Sequence, residues 1–319
     1  MAADRAVSLL RRTSTARQGS QCHRRGYRAG THRCARPRRR RGGRALRPRR
    51  RPWGPHMTVT LEKSDDGHIA TLRFAGDHPM NVFTAETLEH LLASVHQVRT
   101  DRTVRVLLIT GTDTVFSGGA DLRYLGSLDH AAYRHYIATE YTLFAEVEDL
   151  PLITVAAIAG PCVGNATELA LACDFRICTS DVRIGLPEMK VGFVSPAQRL
   201  TAYVGIGKTK ELLYGGRLLP AQEALELGLV TTVTDDLAAE TARAAQRYAS
   251  YAPYALAFTK AGIQRCYGLA GDGRRFDEQE QAAAFATFTG PDFAEGAAAG
   301  LEGRRPSFTS QRAEVGEHR

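Results

Sequence analysis

The chain has 319 residues, with 42 Lys and Arg against 34 Asp and Glu, a formal net charge of +8. Its 43% hydrophobic and 24% charged residues exclude a fibrous or wholly disordered protein, and no apolar run approaches the roughly 18 residues that a membrane span needs. The length suits one large domain or two small ones. The charge is uneven: residues 1–56 hold 18 Arg, no Lys and one acid, Asp4, a net of +17, so residues 57–319 carry −9.

The first 56 residues are rich in Arg, Gly, Pro and Ala and have no period of 3.6 or 2. Such a stretch buries too little apolar surface to offset chain entropy, so disorder is expected. Three origins compete. It is a basic arm for RNA or anionic surfaces, a transit peptide, or translated GC-rich upstream sequence with Met57 as the native start. The whole chain holds 37 Arg against 5 Lys, and on that bias the last reading is preferred. Cys22 and Cys34 fall in this tail. Cys162, Cys173, Cys178 and Cys266 lack metal-like or disulfide-framework spacing, so reduced, buried thiols of a cytoplasmic protein are expected.

Beyond the tail, Thr58–Lys63 and His68–Phe74 alternate in polarity around Asp65-Asp66-Gly67, which predicts a β-hairpin. Thr84 then opens a helix to about Arg99, with Leu88, Leu91, Leu92 and Val95 on one face. Val104–Thr110 and Leu152–Ile158 are apolar, β-branched runs, the pattern of buried strands. A helix fills 130–149 between them. Phe175–Cys178 and Arg183–Ile184 read as short strands. Helices are expected at 197–204, 208–214, 220–227, 237–250, 253–268, 274–288 and 291–303, with Pro220 and Pro253 in first turns. The organisation is a tail at 1–56, an α/β core at 57–250 and a helical C-terminal region at 251–319.

Two strand-to-loop transitions could carry chemistry. Residues 107–122 pass from a strand through Gly118-Gly119 into a polar turn and a helix. Glycines there allow close backbone approach to a ligand, although a plain connection would read the same way. Residues 153–174 repeat the arrangement through Gly160 and Gly164 and lead into an apolar helix bearing one acid, Glu168. That carboxylate either caps the helix and faces solvent, or it is buried and functional, since burial is costly otherwise. A second acid, Glu188, follows the short strand at 183–184. Two carboxylates on separate loops can divide general-acid and general-base work if they meet.

These segments resemble the crotonase superfamily, the enoyl-CoA hydratase/isomerase family, over nearly all of residues 57–310. Phe116-Ser117-Gly118-Gly119-Ala120-Asp121-Leu122 is similar to the family's Phe, Ser or Cys, x, Gly, x, Asp, Leu or Ile loop. Ala156–Ala170 is similar to its second glycine loop with Glu-Leu-Ala, followed by Cys173-Asp174-Phe175-Arg176-Ile177 and Leu186-Pro187-Glu188. The run from Gly215 to Val230 resembles a later segment ending Gly-Leu-Val.

The resemblance implies a spiral of ββα units with a helical C-terminal trimerisation region, as a homotrimer or dimer of trimers. It implies an oxyanion hole from the Ala120 and Asn165 backbone N–H groups, and Glu168 and Glu188 as catalytic residues. Ala120, Asp121, Leu122 and Gly164 would bind an acyl-CoA thioester. Coenzyme A enters as part of the substrate; no permanently bound cofactor, metal or membrane is expected, nor nucleic acid as a partner. Arg304 and Arg305 are candidate phosphate contacts. Both glutamates favour hydration of a 2-enoyl-CoA. The alternatives are isomerisation, decarboxylation or C–C cleavage, on an unusual acyl chain of secondary metabolism, and, of another class, an RNA-binding homologue. Three departures accompany this. Gly164-Asn165-Ala166 stands where the family has three glycines. The loop at 192–199 is about three residues short. Met80-Asn81-Val82-Phe83 is a partial match to a segment at the acyl-CoA entrance.

Overall fold

The computed structural model describes residues 57–191, 193, 195–268 and, near the C-terminus, Asp292, Glu295, Gly296, Ala299, Glu302, Arg304 and 306–311. The expected disorder of the tail and the helix at 274–288 lie outside the described residues, as does Arg305.

The strands are β1 (Met57–Lys63), β2 (Ile69–Gly76), β3 (Val106–Thr110), β4 (Ile153–Ile158), β5 (Pro161–Val163), β6 (Phe175–Thr179), β7 (Arg183–Gly185), β8 (Leu219–Pro220) and β9 (Thr232–Thr234). The helices are α1 (Ala85–Thr100), α2 (Leu122–Ser127), α3 (His130–Glu148), α4 (Asn165–Ala172), α5 (Gln198–Gly215), α6 (Ala221–Glu226), α7 (Leu237–Ala249) and α8 (Pro253–Gly268), with a 3-10 turn at Glu188–Val191. Helix α5 bends at Gly205, whose φ of 72° is non-helical, so the two helices expected at 197–204 and 208–214 form as one kinked element.

Six strands make the larger sheet, in the order β1-β2-β3-β4-β6-β9, and β5-β7-β8 make a smaller one. The β1–β2 hairpin is antiparallel, with Met57 opposite Gly76. The pairs from β2 to β9 in the larger sheet are parallel. From β4 onwards each pair of strands, β4 and β5, β6 and β7, β8 and β9, puts one strand in each sheet, as expected of a spiral of ββα units.

The central strands are apolar throughout because both faces are covered. Leu107, Ile109, Ala156 and Ile158 pack in one core with Leu88, Leu91 and Val95 of α1 and Leu143 and Phe144 of α3. Val106, Val155 and Ile177 point the other way, against Ala244, Ala245 and Ala249 of α7. The alternation follows the strand period of two. Thr84 caps α1, its hydroxyl accepting from the Thr87 N–H at 3.3 Å. Arg176 is fully buried behind α4, donating to the carbonyls of Cys173 at 2.7 Å and Ala170 at 3.2 Å. A cation there satisfies the orphan carbonyls of a helix C-terminus.

Candidate active site

The loops that leave β3 and β4 are stitched together. Ser117 N–H donates to Pro161 O at 3.0 Å, and Val163 N–H donates to Ser117 O at 2.9 Å. Gly119 follows with φ of 82° and Gly164 with φ of 62°, values that favour glycine. A Cβ at residue 119 would lie 2.4 Å from Val163 O, so only glycine fits between the loops. Ala120 and Asn165 come next on either side. As the first residue of α4, Asn165 has an N–H with no partner inside the helix. The Ala120 N–H has no main-chain acceptor among the described residues.

The Met80–Phe83 segment braces the first loop. Gly118 N–H donates to Met80 O at 2.6 Å, and Phe83 N–H to Gly119 O at 2.8 Å. Asn81 holds a left-handed φ of 49° and donates through Nδ2 to Phe74 O at 3.1 Å and Phe116 O at 2.8 Å. The segment, a partial match to the one the resemblance led us to expect, therefore latches the first loop through its hydrogen bonds.

Glu168 is 2% exposed in a helix whose eight residues are all buried. It does not cap: Gly164 is the N-cap, without a side-chain bond. The solvent-facing alternative left open by the sequence is excluded. Desolvation pushes its carboxyl up to about 7; Arg199 opposes that shift, and the charges of Glu140 and Glu188 add to it. Arg199 Nη1 lies 3.4 Å from Glu168 Oε2, and Nη2 lies 2.8 Å from Glu148 Oε2. Glu168 Oε1 is buried without a hydrogen-bond partner.

Glu188 opens the 3-10 turn after β7. Its Oε1 lies 3.3 Å from where a Cβ at residue 164 would sit. Burial raises its carboxyl, and Ser195 Oγ donates to Oε2 at 3.3 Å. Glu188 thus reaches Gly164, the residue before α4, while Glu168 sits on α4 itself, near enough for the charge of Glu188 to raise its carboxyl.

The remaining expected residues divide. Asp121 caps α2 through Oδ1, accepting from Arg123 N at 2.7 Å and Tyr124 N at 3.1 Å, while its Oδ2 lies 4.0 Å from His78 Nε2. Leu122 is half exposed and lines a cavity of about 410 Å³ with Leu125, Gly126, Tyr133, Val191 and Phe193. Arg304 is engaged by Glu295 at 2.7 Å and Glu302 at 2.5 Å, on the surface and occupied by carboxylates. A larger cavity, of about 650 Å³, lies between α5 and α8 against Tyr203, Tyr248 and Leu256. Neither cavity is lined by Ala120, Asn165, Glu168 or Glu188 themselves; the smaller one adjoins them in sequence, through Leu122 two residues after Ala120 and Val191 at the end of the turn that Glu188 opens. Among the described residues no group of three or more His, Cys, Asp or Glu side chains could hold a metal ion, and no helix is long and apolar enough to cross a membrane. Cys162, Cys173 and Cys178 are buried free thiols.

Three side chains at the site carry no sequence motif of their own: Tyr136, Glu140 and Arg199. Glu140, on α3, is 8% exposed, and burial pushes its carboxyl up to about 7. Asn165 Nδ2 donates to Glu140 Oε2 at 2.8 Å and to Tyr136 Oη at 2.9 Å. The site thus holds three mutually repelling carboxyl groups, each raised by burial.

The chain is similar to known proteins. The enoyl-CoA hydratase/isomerase family profile matches residues 65–311. A probable enoyl-CoA hydratase of Bacillus subtilis strain 168 is 34% identical over 246 residues, covering 73% of this chain and 92% of its own. A crotonyl-CoA hydratase of Syntrophomonas wolfei is 33% identical, covering 80% of this chain and 99% of its own. Among solved structures, an enoyl-CoA hydratase of Bacillus anthracis superposes with a TM-score of 0.74 at 30% identity, covering 78% of this chain and 98% of that one. With the paired glycine loops and two glutamates already in place, the chain belongs to the enoyl-CoA hydratase/isomerase family of the crotonase superfamily, and it is an enzyme of that family.

Proposed function

We propose that the protein adds water to a 2-enoyl-CoA, or removes it from the 3-hydroxyacyl-CoA, through an enolate held by the Ala120 and Asn165 N–H groups. The observation that carries this reading is Glu188 Oε1 set against Gly164, the residue before the Asn165 donor, with the buried Glu168 of α4 coupled to it electrostatically. Ionised Glu168 takes a proton from water as the oxygen bonds to Cβ. The π electrons move onto the thioester oxygen, where the two N–H groups stabilise the charge. Collapse of the enolate takes a proton at Cα from the carboxylic acid of Glu188. Glu188, now ionised, and Glu168, now protonated, exchange protons with solvent to reset the site. Raised carboxyl groups suit both roles, because a base near 7 is poised at neutral pH and a raised acid retains its proton.

Coenzyme A enters as part of the substrate, and the reading needs no resident cofactor. The cavity beside Leu122, Tyr133 and Phe193 suits the acyl chain. Exposed Ile206, Tyr214 and Ile263 support burial in a homotrimer or dimer of trimers, and buried free thiols suit the cytoplasm. Relatives are named as hydratases, including one for crotonyl-CoA.

One observation favours a second reading, double-bond isomerisation with Glu188 as the single base. Glu168 is enclosed and ion-paired, whereas Glu188 is only partly buried and hydrogen-bonded to Ser195. Crotonyl-CoA and longer 2-enoyl-CoAs separate the two. Hydration removes the enoyl absorbance and adds the mass of water; isomerisation leaves the mass unchanged. Glu188→Gln should lower hydration by roughly 10²–10⁴-fold, and wild-type turnover in that variant would refute the assignment.

A further inference from the structure

Helix α3 brings a third carboxyl group to the oxyanion loops, and the proposed hydration makes no use of it. Tyr136, Glu140, Leu143 and Val147 are all buried, and their spacing of four, three and four residues puts them on one helix face. Glu140 therefore occupies a core position, where an ionisable group is costly unless it is partnered. Its partner is the Asn165 carboxamide, whose Nδ2 lies 2.8 Å from Glu140 Oε2 and 2.9 Å from Tyr136 Oη.

These two bonds fix the amide. Both Nδ2 protons are used, and reversing the amide would set Asn165 Oδ1 against the oxygens of Glu140. With that end held, Oδ1 faces the other loop: a Cβ at Gly119 would lie 2.9 Å from it. Oδ1 is buried without a hydrogen-bond partner, so the Asn165 side chain, anchored to α3 through Nδ2, meets the glycine before Ala120 by packing alone. The same residue contributes the second backbone donor.

We infer that Glu140 is a positioning residue for the oxyanion hole, acting through the Asn165 carboxamide to hold the Gly119–Ala120 segment and the start of α4 in register. The inference rests on the oxyanion-hole reading above, though not on the choice of hydration. A glycine at 165 would need no such holder. An asparagine does, because its unrestrained side chain could turn towards the thioester oxygen or press on Gly119. Glu140 and Tyr136 together remove that freedom.

The test uses the full chain and acetoacetyl-CoA, a 3-oxoacyl thioester whose enolate has its own ultraviolet band. Binding in the hole draws the keto form towards the enolate and is read without turnover. Glu140→Ala should lower the enolate fraction, and kcat on crotonyl-CoA, by roughly 10- to 100-fold, less than the roughly 10²–10³ for losing a donor outright. KM should change by less than about threefold, since binding of the coenzyme is untouched. Glu140→Gln keeps an oxygen for Nδ2 and should recover most of the loss. In an Asn165→Gly background, Glu140→Ala should cost less than about threefold, because no carboxamide remains to be held. Equal losses in both backgrounds, or an enolate band untouched by Glu140→Ala, would overturn the inference while leaving the oxyanion hole standing. No enolate band in the wild type would overturn the oxyanion reading and this inference with it. Should Glu140→Ala fail to fold, Tyr136→Phe removes the other acceptor and replaces it in the same cycle, with a loss of about 3- to 10-fold expected in the Asn165 background only.

Discussion

Arg199 Nη1 lies 3.4 Å from Glu168 Oε2, so the carboxylate that the proposed hydration needs as a base is held by a partly buried cation. Burial drives Glu168 up to about 7, and Arg199 is what restrains it. Arg199→Met leaves desolvation unopposed and raises the Glu168 carboxyl further. The acid limb of the kcat profile should then move to higher pH by about one unit or more. Turnover at pH 7 should fall about tenfold and recover towards pH 9. A pH–rate profile checks this, and an unmoved acid limb would show that Arg199 only packs.

Glu140 makes a separate prediction about stability. Its carboxyl stands near 4.5 when unfolded and is raised to about 7 in the fold, chiefly by desolvation. Between those values the folded state binds more protons than the unfolded one. Stability contributed by this group is therefore full below about pH 4.5, falls as pH rises to 7, and is level above that. Glu140→Gln cannot ionise. Relative to wild type, the variant should gain stability between pH 5 and pH 8, by at most about 3 kcal/mol. Urea denaturation at several pH values measures the difference; a difference independent of pH would show that Glu140 is not titrating in this window.

Asn81 combines a left-handed φ of 49° with hydrogen bonds to Phe74 O, Phe116 O and Gly76 N. Asn81→Ala keeps the strain and loses all three bonds, which should cost about 2–4 kcal/mol. Asn81→Gly relieves the strain but not the lost bonds, so it should fall between alanine and wild type. Both variants should lose kcat, because the latch holds the loop that carries Ala120. Denaturant midpoints give the order, and alanine equal to glycine would remove backbone strain from the account.

The parts of this fold that the sequence announces are those whose signal is local. The hairpin at Asp65-Asp66-Gly67, the apolar strands β3 and β4 and the Pro253 start of α8 all form as their residues predict. Strands β5, β8 and β9 are two or three residues long and exist through pairing with distant chain, which no local pattern announces. At the site, the glycine loops and both glutamates were legible, but the burial of Glu168 was not, because an acid in a first helical turn reads equally well as a cap. Tyr136 and Glu140 did leave a trace: four residues apart, they share the apolar face of α3 with Leu143 and Val147. A glutamate at a core position is the mark of a buried partner. That the partner is Asn165 depends on how α3 packs on α4, a tertiary fact. Arg199 stood at the end of the shortened loop without a role until α5 set it against Glu168.

A last prediction concerns how α8 is fastened behind the site. Lys260 Nζ, buried, donates to Asp174 Oδ2 at 2.8 Å and to Leu152 O at 3.0 Å. The same Asp174 oxygen accepts from the Thr154 N–H at 2.7 Å and from its hydroxyl at 3.0 Å. One carboxylate thus joins α8, β4 and the chain leaving α4. Removing only the cation strands a carboxylate in a site built for a pair, so Lys260→Met should cost about 3–5 kcal/mol. Adding Asp174→Asn removes the stranded charge while keeping an oxygen for Thr154, so the double variant should regain a large part of that loss. Thermal melts of the two single variants and the double supply the cycle. Additive losses would mean that the two residues act independently and that α8 is held by its apolar contacts alone.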